Sequence, residues 1–223
     1  PLSDYYLPWV VNPAQLSLQM DYLVAHGYHA ITLNRLFDAL YYGGPLPSKP
    51  IVLTFDDGDE EHYRLVYPIL LRHHFTAMFY IITGQVGWSS RLNWSQIREM
   101  LAHGMQIGSH TINHVHLSSM LNVSMVAAQQ ELQLSRQTLE QHLGIVVQQF
   151  CYPFGDPLGN GTWYQRQLIV AMLTADGYVG ATTFGEVGSM QDNSQPFALL
   201  RIPVYGTEAF LSFVGSLPFE GKS

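Results

Sequence analysis

The sequence predicts an α/β domain built on parallel strands, and three observations carry that reading. Short uninterrupted apolar runs, Ile51-Val52-Leu53-Thr54-Phe55 above all, have the composition of strands buried on both faces. Segments with apolar residues at helical spacing alternate with these runs along the whole chain. Polar residues able to do chemistry follow directly after several of the runs. About seven strands separated by helices force parallel pairing with right-handed crossovers, either as a barrel or as a doubly wound sheet. In both, functional residues collect at the carboxyl ends of the strands.

The elements follow in order. Leu16, Met20, Leu23 and Val24 recur at helical spacing within residues 15–26, and His26-Gly27 stops that helix before a β-prone run at Tyr28–Leu33. Asn34–Tyr42 reads as a helix with Leu36, Phe37 and Leu40 on one face, followed by a Gly43-Gly44-Pro45 loop. The strand at 51–55 leads into Asp56-Asp57-Gly58. Residues 61–73 form a helix, Ala77–Ile82 a buried strand, Trp94–His103 a helix and Met105–Gly108 a strand that ends at Ser109-His110. The longest helical pattern spans 123–143, with Val126, Leu132, Leu134, Leu139 and Leu143, and stops at Gly144. Val146–Tyr152, Tyr178–Thr183 and Leu199–Val204 complete the strands, with a helix at Trp163–Ala175 and a long polar loop at 185–196. No internal repeat or linker interrupts the chain, so residues 1–223 are expected to form a single domain.

Composition narrows the function. Charged residues are 12% and hydrophobic residues 47% of 223, which excludes a disordered or coiled-coil chain. The net charge of −7, with no run of Lys or Arg, lacks the electrostatic footprint of a nucleic-acid or anionic-membrane binder. Cys151 is the sole cysteine, excluding an intrachain disulfide and any multi-cysteine metal site. No apolar run approaches the ~18 residues of a membrane span. The chain opens at Pro1 with neither a Met nor a signal pattern, and this start is expected to be a processed or trimmed end.

Listing the polar residues after each strand isolates Asp56 and Asp57, His110 and His114, the Pro153–Asp156 segment, and Arg201. One Asp with two His is a three-ligand set that leaves positions open, as catalytic zinc-type sites do. His110 and His114 are four apart, so on a helical turn both imidazoles lie on the same side and can reach one cation. A metal with an open position acidifies its water towards a pKa of about 7, and a second carboxylate is then available to complete the deprotonation. Asp-Asp-Gly alone is more often a turn, and a His pair arises readily among ten histidines. Their joint placement at two strand ends carries the reading. The other eight histidines, among them His62 and His116, are expected to be surface or half-buried.

These residues resemble a family. Thr54-Phe55-Asp56-Asp57-Gly58 and Ser109-His110-Thr111-Ile112-Asn113-His114 look like the first two motifs of the polysaccharide deacetylases, the NodB-homology or carbohydrate esterase family 4 enzymes. Gln19–Leu23, Gly104–Gly108, Phe150–Gly155 and Leu200–Val204 resemble further segments of a circularly permuted bacterial branch, so the resemblance covers nearly the whole chain. It implies a distorted (β/α)7 barrel and metal-dependent removal of N-acetyl groups from a glycan containing N-acetylglucosamine. Peptidoglycan, a chitin oligomer and an exopolysaccharide all qualify as substrate. Carried over by position, Asp57, His110 and His114 match the metal ligands, with Zn2+ expected and Co2+ or Ni2+ also suited. Asp56 matches the general base, and the backbone N–H of Phe154 the oxyanion donor. The implied location is extracellular or at a bacterial cell envelope; oligomeric state stays open.

Two departures refine the expectations. Where many members carry an Arg that orients the catalytic Asp, this chain has Cys151, and Arg201 is expected to pair with Asp56 instead. The family's acid His has no match after Val204, and Leu2–Val10 has no His. A missing amino-terminal strand carrying that His, ahead of Pro1, is the corresponding expectation, with Asp56 otherwise serving as both base and acid. Trp9, Trp88, Trp163 and the tyrosines offer sugar-stacking faces without assignment. An acetylxylan-type O-acetyl esterase and a non-catalytic glycan-binding module are the alternatives.

Overall fold

In the computed structural model, which describes residues 10–185, 195–207 and 209–217, the eight strands among the described residues all pair in parallel. Two form a small sheet, β1 (His29–Ala30) and β2 (Pro50–Ile51). The other six are β3 (Thr54–Phe55), β4 (Met78–Ile81), β5 (Gln106–Ser109), β6 (Gln149–Cys151), β7 (Gly180–Phe184) and β8 (Leu199–Arg201), hydrogen-bonded in chain order. An order without reversal is that of a curled half-barrel wall, not of a doubly wound sheet.

The helices α1 (Pro13–Ala25), α2 (Leu33–Tyr42), α3 (Tyr67–Arg72), α4 (Trp94–Ala102), α5 (Leu117–Val123), α6 (Met125–Leu143), α7 (Trp163–Ala175) and α8 (Phe210–Ser216) lie between and after the strands. Their ends have local causes. Asn93 and Gln96 form a capping box on α4, and Thr162 and Gln165 form another on α7. Gly43 and Gly144 end α2 and α6 in the left-handed conformation, at φ 72° and 67°. No helix among the described residues is long and apolar enough to cross a membrane.

Four sequence expectations need correction. The run at 51–55 is not one strand: Pro50–Ile51 pairs with β1 whereas Thr54–Phe55 pairs with β4, so the chain changes partner between them. The helix expected over 61–73 begins as a widened π turn at His62–Val66 and becomes α-helical only at Tyr67. Pro68 has no N–H and its ring opposes the carbonyl four residues back, which the wider turn accommodates. The helix expected over 123–143 starts at Met125, because Ser124 is extended (φ −159°, ψ 117°) and its hydroxyl accepts from Ala127 N–H; α5 precedes it. Val126 and Leu134 on α6 are exposed, at 68% and 41%, while Ala128, Leu132 and Leu139 are buried. The unforeseen α8 packs Phe210 edge-on against Tyr22 of α1, bringing the end of the described chain to its first helix.

The curled sheet is stoppered at its amino end. On the interior face, Met78, Tyr80, Cys151 and Leu199 pack with Leu33 and Phe37 of α2. The first residues of α2 are tied to strand starts: Leu33 N–H donates to Gln106 Oε1 at 2.6 Å, and Gln149 Nε2 donates to Asn34 Oδ1 at 3.2 Å. With this end filled, the carboxyl end is left for the site. Outside, the main core joins α1, α3, α4, α6 and α7 to the other strand faces through residues such as Leu23, Leu70, Phe79, Ile97, Leu132 and Leu173.

Glycine at 108 makes the interior possible. A Cβ there would lie 2.6 Å from the Tyr80 ring and 3.0 Å from the Gln149 carbonyl. Tyr80 is fully buried and its hydroxyl accepts from Thr182 Oγ1 at 3.1 Å, so it cannot swing away without losing that bond. Gly108→Ala is therefore expected to destabilise by about 1–3 kcal/mol through overpacking. Thermal unfolding should show this as a Tm lowered by several degrees; an unchanged Tm would mean that Tyr80 is free to move.

Candidate active site

The site is built on the carboxyl ends of β3, β5, β6 and β8. Asp56 and Asp57 directly follow β3, and the period of two along a strand sends Thr54 and Asp56 to the face opposite Phe55, which stacks on Phe79 in the outer core at 5.1 Å. Asp57 then takes a left-handed backbone, φ 74°, followed by Gly58 at φ 75°. Thr111, His114 and Phe154 are left-handed too, at φ 66°, 56° and 59°. Such conformations are sparsely populated for non-glycine residues and cluster where surrounding structure holds a functional geometry.

Asp57 Oδ1 stands 3.4 Å from His110 Nε2 and 3.4 Å from His114 Nε2. The ligand atoms of these three residues fall within 4.8 Å of one another. Their fit to a metal can be checked by length: two ligands at about 2.1 Å from zinc, at a tetrahedral angle, stand about 3.4 Å apart. His110 Nδ1 lies 2.8 Å from the carbonyl oxygen of Cys151, which can only accept, so the proton sits on Nδ1 and Nε2 is free to ligate. One side of the trio is open: the His110 side chain is 3% exposed, but those of His114 and Asp57 are 24% and 33% exposed. Donor set, spacing, tautomer and open face all suit a divalent ion of the zinc type.

Asp56 is tied differently. Arg201 Nη1 donates to its Oδ1 at 2.7 Å and Nη2 to its Oδ2 at 2.8 Å, a two-pronged pair. Nη1 also donates to Thr54 Oγ1 at 3.1 Å, and the guanidinium lies over the Tyr80 and Phe184 rings at 5.6 and 5.7 Å. Cys151 Sγ sits 3.6 Å from Asp56 Oδ2 and 3.0 Å from Arg201 Nη2. Cysteine therefore occupies the volume beside the carboxylate while the guanidinium arrives from β8.

Electrostatics follow from these neighbours. Burial would raise the Asp56 carboxyl, but the Arg201 charge and hydrogen bonds hold it well below the usual carboxylate range. Burial opposes ionisation of Asp57 as well, and His110 and His114 outweigh it, so Asp57 is also lowered. For His110, burial is outweighed by Cys151 and the two carboxylates, which raise it well above the ordinary imidazole value. His114 falls to about 4 through burial and the proximity of His110.

Phe154 follows β6 in a tight turn, held by Gly155 N–H to Tyr152 O at 3.1 Å and Asp156 N–H to Pro153 O at 3.0 Å. Its ring stands 4.5 Å from that of His114 and stacks on His116 at 4.0 Å. Together with Val115, Ser119, Met120 and Val123 these residues line an open groove of about 350 Å³ beside the metal trio. Sequence reasoning passed over His116, because nothing in the spacing separates it from the other surface histidines. It also passed over Glu131, whose carboxylate accepts from the backbone N–H groups of Ile112 and Asn113. The remaining candidates disperse: Trp88 and Trp163 are exposed, Trp9 and most of the 185–196 loop lie outside the described residues, and so does the histidine expected ahead of Pro1.

Comparison with known proteins gives a consistent picture. A family model described as polysaccharide deacetylase matches residues 43–172, more than half of the chain. A protein named as a polysaccharide deacetylase, YxkH of Bacillus subtilis, is 25% identical over 210 residues, 93% of this chain and 71% of that one. A poly-beta-1,6-N-acetyl-D-glucosamine N-deacetylase of Staphylococcus aureus is 27% identical over 158 residues, 65% of this chain; the match spans about half, 53%, of that relative. Among solved structures, IcaB from Ammonifex degensii superposes with a TM-score of 0.76 at 28% identity, over 92% of this chain and 87% of that one.

Proposed function

The chain belongs to the polysaccharide deacetylase family, and from that premise we propose that it hydrolyses N-acetyl groups on a glycan containing N-acetylglucosamine, with Asp57, His110 and His114 holding a Zn2+ ion. The single observation that carries this is the juxtaposition of two carboxylates with different partners: Asp57 faces two imidazoles at 3.4 Å, while Asp56 next to it is held by the Arg201 fork, with the Cys151 thiol beside it. Co2+ or Ni2+ would suit the same donors.

A divalent ion with an open position supplies Lewis acidity towards an acyl oxygen and lowers the pKa of water. The protein groups do the rest. Asp56, kept ionised and oriented by the Arg201 fork, accepts the proton of the attacking water. The Phe154 N–H donates to the oxygen on which negative charge develops, an interaction that strengthens only as the carbonyl becomes tetrahedral. Asp56 is then the carboxyl able to return its proton to the departing nitrogen. The carbon–nitrogen bond breaks, and acetate and a free amine leave. The reading assigns the activity to the outside of the cytoplasm or the cell envelope.

Acetate release from metal-loaded protein tests the reading, with β-1,6- and β-1,4-linked N-acetylglucosamine oligomers, peptidoglycan and acetylated xylan as substrates. Release from the N-acetylated glycans, abolished by a chelator and restored by Zn2+, is the expected result. Faster release from acetylated xylan would favour an O-acetyl esterase, and binding without turnover on any substrate a non-catalytic module. The Arg201 assignment has its own test. Arg201→Lys keeps the charge but not the fork, and lysine does not replace arginine at a two-pronged carboxylate pair. Its kcat should fall about 10- to 100-fold with Zn2+ affinity unchanged, an effect on the order of 1.4–2.7 kcal/mol. Full activity in Arg201→Lys would remove Arg201 from this role.

A further inference from the structure

We infer that Glu131 of α6 is a positioning residue for the metal site: it sets the backbone of the loop that carries His114, and so the spacing of the ligand atoms. The inference rests on the metal reading of Asp57, His110 and His114. Glu131 is 6% exposed and lies outside the ligand trio. Its Oε2 accepts from the backbone N–H of Ile112 at 2.9 Å and of Asn113 at 3.0 Å, and its Oε1 accepts from Asn113 Nδ2 at 2.6 Å. Three donors from two consecutive residues thus converge on one carboxylate, in the stretch between the two histidines.

That stretch has reason to need a clamp. Thr111 and His114, on either side of the clamped pair, both have positive φ, and Thr111 is β-branched, the residue type least suited to it. Thr111 Oγ1 accepts from His114 N–H at 2.9 Å, so the second ligand is tied to the first of the strained residues. The opposite side is held by Thr83 N–H to Thr111 O at 3.1 Å and Gly84 N–H to Ile112 O at 2.9 Å. Gly84 sits so close that a Cβ would be 2.6 Å from the Ile112 carbonyl. The loop is gripped between the end of β4 and α6, and the α6 side of that grip is the Glu131 carboxylate. Without it, two peptide N–H groups and an amide lose their acceptor, the left-handed residues are free to relax, and His114 Nε2 leaves its 3.4 Å station at Asp57.

The test is metal binding by full-length protein, stripped and then titrated with Zn2+ against a chromophoric chelator and with Co2+ by visible absorption. Glu131→Gln keeps the size but turns an NH2 group towards the N–H donors. We expect its Zn2+ affinity to be weaker by about 10- to 100-fold, the range for losing a partner that orients a ligand, and its Co2+ band to change in intensity. Glu140→Gln is the control. Glu140 lies on the same helix and accepts from Val147 N–H at 3.0 Å while pairing with Arg136 at 2.9 Å, away from the ligands. It should lower Tm yet leave Zn2+ affinity and the Co2+ spectrum unchanged. If Glu131→Gln does not fold, Asn113→Ala deletes one of the three donors at an exposed position and should still weaken binding severalfold. Wild-type affinity in Glu131→Gln or in Asn113→Ala, or an equal loss in Glu140→Gln, overturns the inference. Failure of the unaltered protein to bind either ion would instead sink the metal reading itself.

Discussion

Replacing Asp57 with alanine should weaken Zn2+ binding by more than about 100-fold, beyond the loss expected for a partner outside the ligand set, and should reduce acetate release to the limit of detection. A single oxygen of Asp57 faces both imidazoles at 3.4 Å, so the substitution removes one of three donors and the only negative charge among them. Two imidazoles with ring centres 4.9 Å apart remain, one protein ligand short of the three that hold a catalytic zinc. Because Asp57 has a positive φ, alanine also costs about 1–2 kcal/mol in the left-handed conformation, which asparagine tolerates better. Asp57→Asn is therefore the cleaner partner: its Tm should stay near that of the wild type while Zn2+ affinity still falls. Competition titration reads both variants, and affinity within threefold of wild type in either would exclude Asp57 as a ligand.

The second large effect is expected in Asp56→Asn, with the opposite division of symptoms. Zn2+ affinity should be nearly intact, because both Asp56 oxygens are held by Arg201 and Asp56 is not one of the Asp57, His110 and His114 set that would hold the ion. The kcat should fall by about 10²–10⁴, the usual contribution of a positioned base, or about 3–5 kcal/mol. Asparagine can accept one prong of the guanidinium fork but faces the other with an NH2 group. Arg201, whose side chain is only 14% exposed, is left partly unpaired. Removing one partner of a buried pair is strongly destabilising, so Tm should drop as well. Single-turnover acetate release at saturating substrate separates the chemical step from binding. A kcat within threefold of wild type would show that Asp56 is not the base.

Much of the site was legible before any coordinates because its chemistry is written in short, local strings. Asp56-Asp57 and His110 each directly follow a strand, which brings them to the rim, whereas His114 arrives there not on the helical turn its spacing predicted but on a loop left-handed at Thr111 and His114. Their union needs only that β3, β4 and β5 be neighbours, which the alternation of elements implies. Arg201 was the furthest inference that could be drawn this way. An arginine inside an apolar strand lacks a plausible solvent-facing place, and the absence of an arginine at Cys151 left Asp56 without its partner.

What stayed hidden has physical causes. Glu131 is one of several polar residues on a long helix, and no local pattern distinguishes a glutamate that accepts three N–H groups across space from one that faces water. His116 joins the groove beside the ligand residues because Phe154 folds over it, and that contact depends on a left-handed turn at a phenylalanine. The split of 51–55 into two strands reflects a change of pairing partner, which composition cannot register. Ser124 broke the predicted long helix because its side chain competes for a backbone N–H, a local effect that the apolar periodicity around it masked.

By itself the sequence determined the parallel α/β architecture and pointed to the rim and to the two carboxylates and two histidines gathered there, because hydrophobic periodicity and motif spacing act over a few residues. The division of labour between the carboxylates was what the family resemblance implied; only the tertiary structure gave the two their different surroundings. Asp56 and Asp57 are adjacent and chemically identical. One meets a guanidinium from β8, 145 positions along the chain, and the other meets two imidazoles at ligand spacing; which neighbour each carboxylate meets follows from the curl of the sheet.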